Sequence, residues 1–410
     1  MMRRVVITGL GVISSIGIGW REFWGSLLQG RSGISPVSSF DTTNQFTHNG
    51  GEVKNFNPGE FMSKDRIDVL SRASQFALSA AKLAVEDSKL SPGLFSGIKA
   101  GTCVGITSGS VQVIEQIDDR LINNEPIENR LICQLPVHST SAAISKAFNM
   151  NGPNFIFSTA CAAGNYAIGY GYDLIRSQRA DMIISGASDP FSRISFTGFN
   201  QFSAVAPERC RPFDKDRQGM IVAEGAAMLI LESLETAVER NAPIYAEILG
   251  YGLSCDAHHM TASTVEGIVQ SMKKAIKEAG ISAEDIDYIS AHGTGTLTND
   301  RNECAAIKEV LGPRYRDVPV SSIKSMIGHT MGAASALEAV TCSLVLNNDI
   351  IPPTINHDTQ DPECDIDCVP NHARSHIVNI ALNNSYAFGG NNACLVLKKY
   401  AHWEGNSNGY

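Results

Sequence analysis

Short apolar, β-prone runs alternate with longer helical patterns from one end of this 410-residue chain to the other, and nothing else in the sequence constrains its fold as strongly. Strands are predicted at Val5–Thr8, Ala100–Ile106, Asn154–Thr159, Asp181–Ser185 and Gly225–Glu232, with helices over Ser71–Ser88, Ala162–Arg179 and Leu234–Arg240. The second half repeats the rhythm. It has predicted strands at Tyr245–Ser254, Ile286–Ala291, Pro319–Ser322, Ile377–Asn383 and Ala393–Lys398, and predicted helices over Val265–Ala279, Glu303–Leu311 and Ala333–Leu346. Strands this uniformly apolar are buried on both faces, so the chain reads as α/β with largely buried sheets.

The best internal boundary is Asn241-Ala242-Pro243, which divides the chain into halves of similar make-up, 1–240 and 241–402. No residue-level repeat links them, and the polar tail 403–410 is expected to fray. Arg3-Arg4 followed by Val5-Val6-Ile7 briefly resembles a signal peptide. Glycines break that run and no small-residue cleavage site follows, so a first buried strand leading into a glycine turn is expected. No stretch is long and apolar enough to span a membrane. The ten cysteines lack the spacing of a disulfide framework, and a cytoplasmic location is expected. A net charge of −9 argues against non-specific nucleic-acid binding.

Four segments carry chemistry. In Phe155-Ile156-Phe157-Ser158-Thr159-Ala160-Cys161 an apolar run stops at a cysteine, with small residues and a helical pattern beyond. A thiol on that strand-to-helix turn sits near a helix N-terminus, where unpaired N–H groups and the helix dipole favour the thiolate. Ala291-His292-Gly293-Thr294-Gly295-Thr296 places a histidine at the end of a strand, with glycines for close approach and threonines for hydroxyls. Ser321-Ser322-Ile323-Lys324-Ser325-Met326-Ile327-Gly328-His329 brings a second histidine and a lysine to another strand end. Active sites of α/β sheets are built at such ends. Asn383-Asn384-Ser385-Tyr386-Ala387-Phe388-Gly389-Gly390 runs from a strand into a glycine turn. Its N–H groups, with that of Cys161, are candidates for an oxyanion hole.

In this combination the chain resembles the β-ketoacyl-acyl-carrier-protein synthases, in the elongating KAS I/II branch of the thiolase-like superfamily. The resemblance runs from Arg4 to about Lys399. It rests on the opening Val5-Val6-Ile7-Thr8-Gly9-Leu10-Gly11, Thr159-Ala160-Cys161, Arg211-Pro212-Phe213-Asp214 with Gly219, Glu224-Gly225-Ala226, His292-Gly293-Thr294, Lys324 through His329, and Phe388-Gly389-Gly390. It implies a thiolase-like fold of two α/β halves layered αβαβα. It also implies decarboxylative condensation of a Cys161-bound acyl chain with malonyl-carrier protein, as in fatty-acid-type chain elongation, with a ketosynthase subunit of a type II polyketide or other specialised pathway as the alternative. Cys161 is then the acylated nucleophile, His292 and His329 promote decarboxylation, and Lys324 orders the charged network. The N–H groups of Cys161 and Phe388 form the oxyanion hole. Thr261, Thr294 and Thr296 line the phosphopantetheine channel, Phe199 and Ser110 belong to the substrate pocket, and Glu303 and Glu338 are buried structural positions. No metal or organic cofactor is implied. The expected partners are acyl carrier protein and a second subunit, either identical or resembling a chain-length factor.

Several positions depart from the housekeeping pattern. Tyr386-Ala387 stands where Phe-Gly is usual, and Asn391-Asn392 where Thr-Asn follows the glycines. Ser110 replaces a bulky pocket gate, and Ser203 stands where an arginine is common. Basic residues for carrier docking are thin, with Lys64, Arg66, Arg72 and Arg120 as candidates. These departures lean toward the ketosynthases of type II polyketide systems. A non-catalytic chain-length partner would lack Cys161, and a degradative thiolase would need a second cysteine in the glycine motif, where Phe388 stands. Cys364, Cys368, His372 and His376 have a loose zinc-like spacing interrupted by Asp365, Asp367 and Pro370. Gly9-Leu10-Gly11 fails the dinucleotide pattern, since position 14 is Ser14.

Overall fold

The computed structural model describes residues 2–107 and 109–400. The expected tail 403–410 lies outside the described residues. In the first half, β1 (Val5–Ser14), β2 (Ala100–Gly105), β3 (Asn154–Phe157), β4 (Met182–Asp189) and β5 (Gly225–Ser233) alternate with helices. These are α1 (Arg72–Asp87), α2 (Val111–Ile122), α3 (Ser139–Ala147), α4 (Ala163–Arg176) and, after β4, α5 (Arg193–Gln201). In the second half, β6 (Ala246–Cys255), β7 (Tyr288–Ser290), β8 (Val320–Ser321), β9 (Ile380–Tyr386) and β10 (Asn391–Lys398) alternate with α6 (Val265–Ala279), α7 (Leu297–Leu311) and α8 (Ala334–Asn348).

The two halves share one topology. The first is ordered β3-β2-β4-β5-β1 and the second β8-β7-β9-β10-β6. In each, the three strands nearest the outer edge are parallel and the remaining two pair antiparallel. The repeat that no residue pattern betrays is therefore a repeat of pairing. The halves are joined as well as layered, because Val5–Ile7 of β1 pairs with Ala246–Ile248 of β6 and makes one continuous ladder.

Helices α4 and α8 touch each other and strands of both halves, so they form a middle layer between the sheets. Their composition suits that place. Helix α8 is buried on every side from Ala334 to Leu346, which an amphipathic helix cannot be. Helix α4 carries small residues. A Cβ at Gly164 would stand 2.7 Å from the backbone nitrogen of Ala336, so glycine is what lets the two helices meet. On the outer faces, α1 packs on β1 and β5 with α3 beside it, and α6 packs on β6 and β10 with α7 beside it.

The opening glycines correct an expectation. They make no turn after a four-residue strand, since β1 continues through them to Ser14 with all ten residues buried. A Cβ at Gly9 would come within 2.2 Å of the Ala84 carbonyl oxygen, and one at Gly11 within 1.8 Å of that of Ala80. The glycines seat α1 directly on the strand. Similarly, Ile377 is exposed and the strand begins at Ile380. No helix among the described residues is long and apolar enough to cross a membrane.

Candidate active site

The chain's chemistry gathers where strands of both sheets end. Cys161 follows β3, His292 follows β7, Lys324 and His329 follow β8, and Phe388 follows β9. Cys161 Sγ and one ring nitrogen of each histidine all lie within 4.8 Å of one another, and all three side chains are buried. They form the floor of a cavity of about 380 Å³, whose walls include Phe199, Thr261, Thr294, Thr296, Tyr386 and Phe388.

Cys161 sits in a 3-10 turn, Ala160–Ala162, that opens directly into α4. The turn forces Ala160 to φ +48°, a left-handed conformation costly for a residue with a Cβ. The second half clamps this turn in place. Ser335 Oγ and Ser385 Oγ donate to the Cys161 carbonyl at 3.2 and 2.9 Å. Next along, Asn165 and Asn383 exchange bonds, with Asn165 Nδ2 donating to the Asn383 carbonyl at 3.0 Å and Asn383 Nδ2 to Asn165 Oδ1 at 2.9 Å. Sequence reasoning places Asn383 and Ser385 within a chemistry-bearing segment but gives none of the four residues this clamping role. Their only signal is polarity inside otherwise apolar elements, and the bonds that tie them to the Cys161 turn and the head of α4 span 170 or more positions.

The thiol itself differs from expectation. Burial pushes Cys161 up to about 12, against the pull of the Lys324 charge. Its place at the head of α4 works against that burial.

The histidines are held in one protonation pattern. His329 Nδ1 accepts the Met331 N–H at 3.1 Å. His292 Nδ1 faces the Lys324 ammonium at 3.5 Å. A ring nitrogen that faces a donor must be the unprotonated one, so the proton of each neutral imidazole belongs on Nε2. Burial holds both rings well below the usual histidine pKa, and the Lys324 charge adds to this. Both are therefore neutral Nε2–H donors. The rings meet edge to face, with centroids 5.5 Å apart.

Their supports are buried too. Glu303 accepts the N–H groups of His292 and Gly293, each at 2.8 Å, and burial raises its carboxyl to about 8. Lys324 Nζ donates to the His292 carbonyl at 2.6 Å and to the Glu338 carboxylate. Burial lifts Glu338 to about 7, with the lysine pulling it down. Tyr386, which the sequence marks only as a departure, stacks edge-on against His292 at 5.6 Å. Gly328 turns the chain into His329 at φ +75°, where a Cβ would stand 2.8 Å from the Ile221 carbonyl oxygen.

Cysteine with two histidines is a zinc donor set by composition. The surroundings are wrong for zinc. A zinc-bound histidine donates its other ring N–H to an acceptor, whereas here both Nδ1 atoms face donors. Elsewhere, Cys364 and Cys368 are buried in the core of the second half while His372 is exposed, so that spacing gathers no metal site. Ser110 does not line the cavity. Its hydroxyl donates to Ser71 Oγ at 2.9 Å and joins a buried chain through Ser74 to Thr140. Of the docking candidates, Arg72 grips Glu224 through two bonds of 2.6 and 2.7 Å and Arg120 pairs with Glu128 at the surface, while Lys64 is exposed and Arg66 half-buried.

Two family models match the chain, the Beta-ketoacyl synthase N-terminal domain over residues 2–237 and its C-terminal domain over residues 245–358. The chain belongs to the beta-ketoacyl synthase family. Among its curated relatives is a 3-oxoacyl-[acyl-carrier-protein] synthase 2 of Synechocystis sp., 38% identical over 97% of this chain and 98% of that one. Nodulation protein E of Rhizobium sp. is also 38% identical, over 97% of this chain and all of that one. Among solved structures, the ishigamide ketosynthase/chain length factor superposes with a TM-score of 0.95 at 45% identity, covering 98% of this chain and 100% of that one. A type II PKS acyl-carrier protein in complex with its ketosynthase bound to the hexaketide gives 0.89 at 33% identity, with the same coverage. The fold of this beta-ketoacyl synthase is thus the thiolase-like ketosynthase fold.

Proposed function

We propose that this beta-ketoacyl synthase joins an acyl chain held on Cys161 to the two-carbon unit of malonyl-carrier protein, with loss of CO2. The observation that carries the reading is the pair of neutral Nε2–H donors, His292 and His329, beside the Cys161 sulfur. In the first step Cys161 takes the acyl group as a thioester, and its thiol proton ends on the released phosphopantetheine sulfur. In the second, the malonyl carboxylate leaves as CO2 and its electron pair forms an enolate. The two Nε2–H groups stabilise the enolate oxygen without any strong base. The enolate carbon attacks the thioester, and the tetrahedral oxyanion rests on the N–H groups of Cys161 and Phe388. The Cys161 sulfur then leaves and recovers a proton.

The oxyanion role has an internal precedent. The turn Ala160–Ala162 before α4 recurs as Met331–Ala333 before α8, with φ +48° at Ala160 and +53° at Met331. Gly332 occupies the place of Cys161, and its N–H already binds an oxyanion, the Asp189 carboxylate at 2.7 Å. Thr261, Thr294 and Thr296 then guide the phosphopantetheine arm, and Phe199 and Phe388, with rings 5.7 Å apart, flank the acyl entrance.

A type II polyketide or other specialised pathway is supported by the likeness to the ishigamide ketosynthase/chain length factor at 45% identity and to a type II PKS ketosynthase at 33%, and fatty-acid-type elongation by the synthase of Synechocystis sp. at 38%. We also propose a dimer, built on the free edge of β3, and a cytoplasmic location, which ten free cysteines support. Intact-protein mass spectrometry with a panel of acyl-loaded carrier proteins tests the core of the reading. The wild type gains one acyl mass, Cys161→Ala gains none, and His292→Ala still acylates but releases CO2 from malonyl-carrier protein about 10²–10³-fold more slowly. Condensation by Cys161→Ala rejects the mechanism.

A further inference from the structure

A carrier-borne substrate reaches Cys161 only through the mouth of the catalytic cavity, so whatever delivers it presses on the rim. Two large apolar side chains of the cavity lining, Phe202 and Leu297, stand in solvent there, and Met260 stands in solvent beside the lining residue Thr261. Phe202 is 61% exposed, Met260 73% and Leu297 61%. They come from separate elements. Phe202 follows the end of α5, and Leu297 opens α7 just after Thr296. Met260 precedes Thr261, and its carbonyl accepts the Gly389 N–H at 2.7 Å, which ties it to the Phe388 turn. A single exposed apolar residue is ordinary. These three, far apart in sequence, make a surface beside one opening.

Among the described residues no lysine or arginine lines the cavity, and the docking candidates Lys64 and Arg66 lie outside its lining. Ser203 stands where the family commonly has arginine. The adjoining hollow carries Arg209 and Arg211 together with Glu208 and Asp216, so its charges cancel. Arg211 is also paired to Asp358 at 3.2 Å. The net charge of −9 lends an acidic partner no overall long-range attraction.

We propose that the carrier protein docks on this collar chiefly by apolar contact, with Phe202 and Met260 as anchors, in place of a basic patch. The partner is a carrier protein with an apolar, weakly charged face beside its phosphopantetheine attachment. This rests on the ketosynthase reading and adds to it how the partner is recognised. The contacts are surface-exposed, so their replacement does not disturb the core.

The test compares two donors of the same acyl group, the carrier protein that acylates the wild type fastest and the short thioester of N-acetylcysteamine. For Phe202→Ser/Met260→Ser, the ratio of kcat/KM for the carrier to that for the short thioester falls at least tenfold. For the wild type, the KM for the carrier changes less than threefold between 50 and 500 mM salt. An unchanged ratio, or a KM that rises tenfold with salt, overturns the apolar collar. Failure of wild-type Cys161 to take an acyl group from either donor overturns the ketosynthase reading itself.

Discussion

At the scale of single residues, what matters most is which nitrogen of each histidine carries the proton. His329 Nδ1 is occupied by a backbone N–H and His292 Nδ1 by an ammonium, so each ring acts through Nε2–H. A donor of this kind is replaceable by any group that puts an N–H in the same place. The amide nitrogen of glutamine does so, and alanine does not. His329→Ala is therefore expected to slow decarboxylation about 10²–10³-fold, and His329→Gln to recover a substantial part of that loss. Equal losses in the two variants, read by CO2 release, would mean that the ring works as a base. The same burial makes the pair a pH-dependent element of stability. A histidine in the unfolded chain takes up a proton near pH 6.5, whereas these two, with pKa held well below that, stay neutral in the fold. The unfolded chain then binds more protons, so the pair's contribution is present above about pH 6.5 and is lost progressively as pH falls below that value toward the lower pKa of the fold. The buried carboxyls Glu303 and Glu338, raised to about 8 and about 7, pull the other way. The pair is isolated by subtraction. The melting temperature of wild type minus that of His292→Gln/His329→Gln is expected to shrink between pH 8 and pH 5.5, and a constant difference rejects it.

At the scale of elements, the sequence was most readable where one segment decides its own structure. Helix α6 has the predicted bounds, because Thr264 caps its first turn and Gly280 adopts the left-handed conformation at its end. The turns bearing Cys161, His292 and His329 were legible because glycines and small residues crowd around a reactive side chain. Partners that meet only after folding were not legible. The hydroxyls of Ser335 and Ser385 on the Cys161 carbonyl are of this kind, and so is the capture of Ser110 by Ser71. The same limit misled the reading of Gly11, whose role depends on a helix some 70 residues away. Gly11→Ala would force a methyl group to within 1.8 Å of the Ala80 carbonyl oxygen, which is backbone and cannot step aside. Such overpacking is expected to cost about 3 kcal/mol or more. Gly25→Ala, in a helix where a Cβ would meet nothing within 4 Å, is expected to gain up to about 1 kcal/mol from helix propensity. Denaturant melts of the two variants should move in opposite directions.

At the scale of the whole molecule, the repeated topology explains why the site lies where it does. Two copies of one strand order, joined edge to edge through β1 and β6, bring the heads of α4 and α8 together in the middle layer. One head carries Cys161 and the other follows His329, so neither half holds a complete site. The joint leaves β3 and β8 as the outer edges. Edge strands present unpaired backbone groups and invite pairing with another chain. In β3 the carbonyls of Pro153 and Phe157 accept the N–H groups of Thr102 and Ile106, at 2.8 and 2.9 Å. Alternate residues face alternate sides, so Asn154 and Ile156 turn their N–H groups outward. Around them Phe155, Phe157 and Tyr170 form a half-exposed aromatic cluster, with Phe155 and Tyr170 centroids 5.0 Å apart. A second subunit laid antiparallel along β3 would satisfy the backbone and cover the rings together. Ile156→Pro removes one outward donor and leaves the ladder to β2 intact, because proline lacks only the N–H that faces away from it. If the subunits pair along this edge, sedimentation velocity of Ile156→Pro should give a monomer with an unchanged far-UV circular dichroism spectrum. A folded variant that keeps the wild-type dimer mass would move the subunit contact to another face.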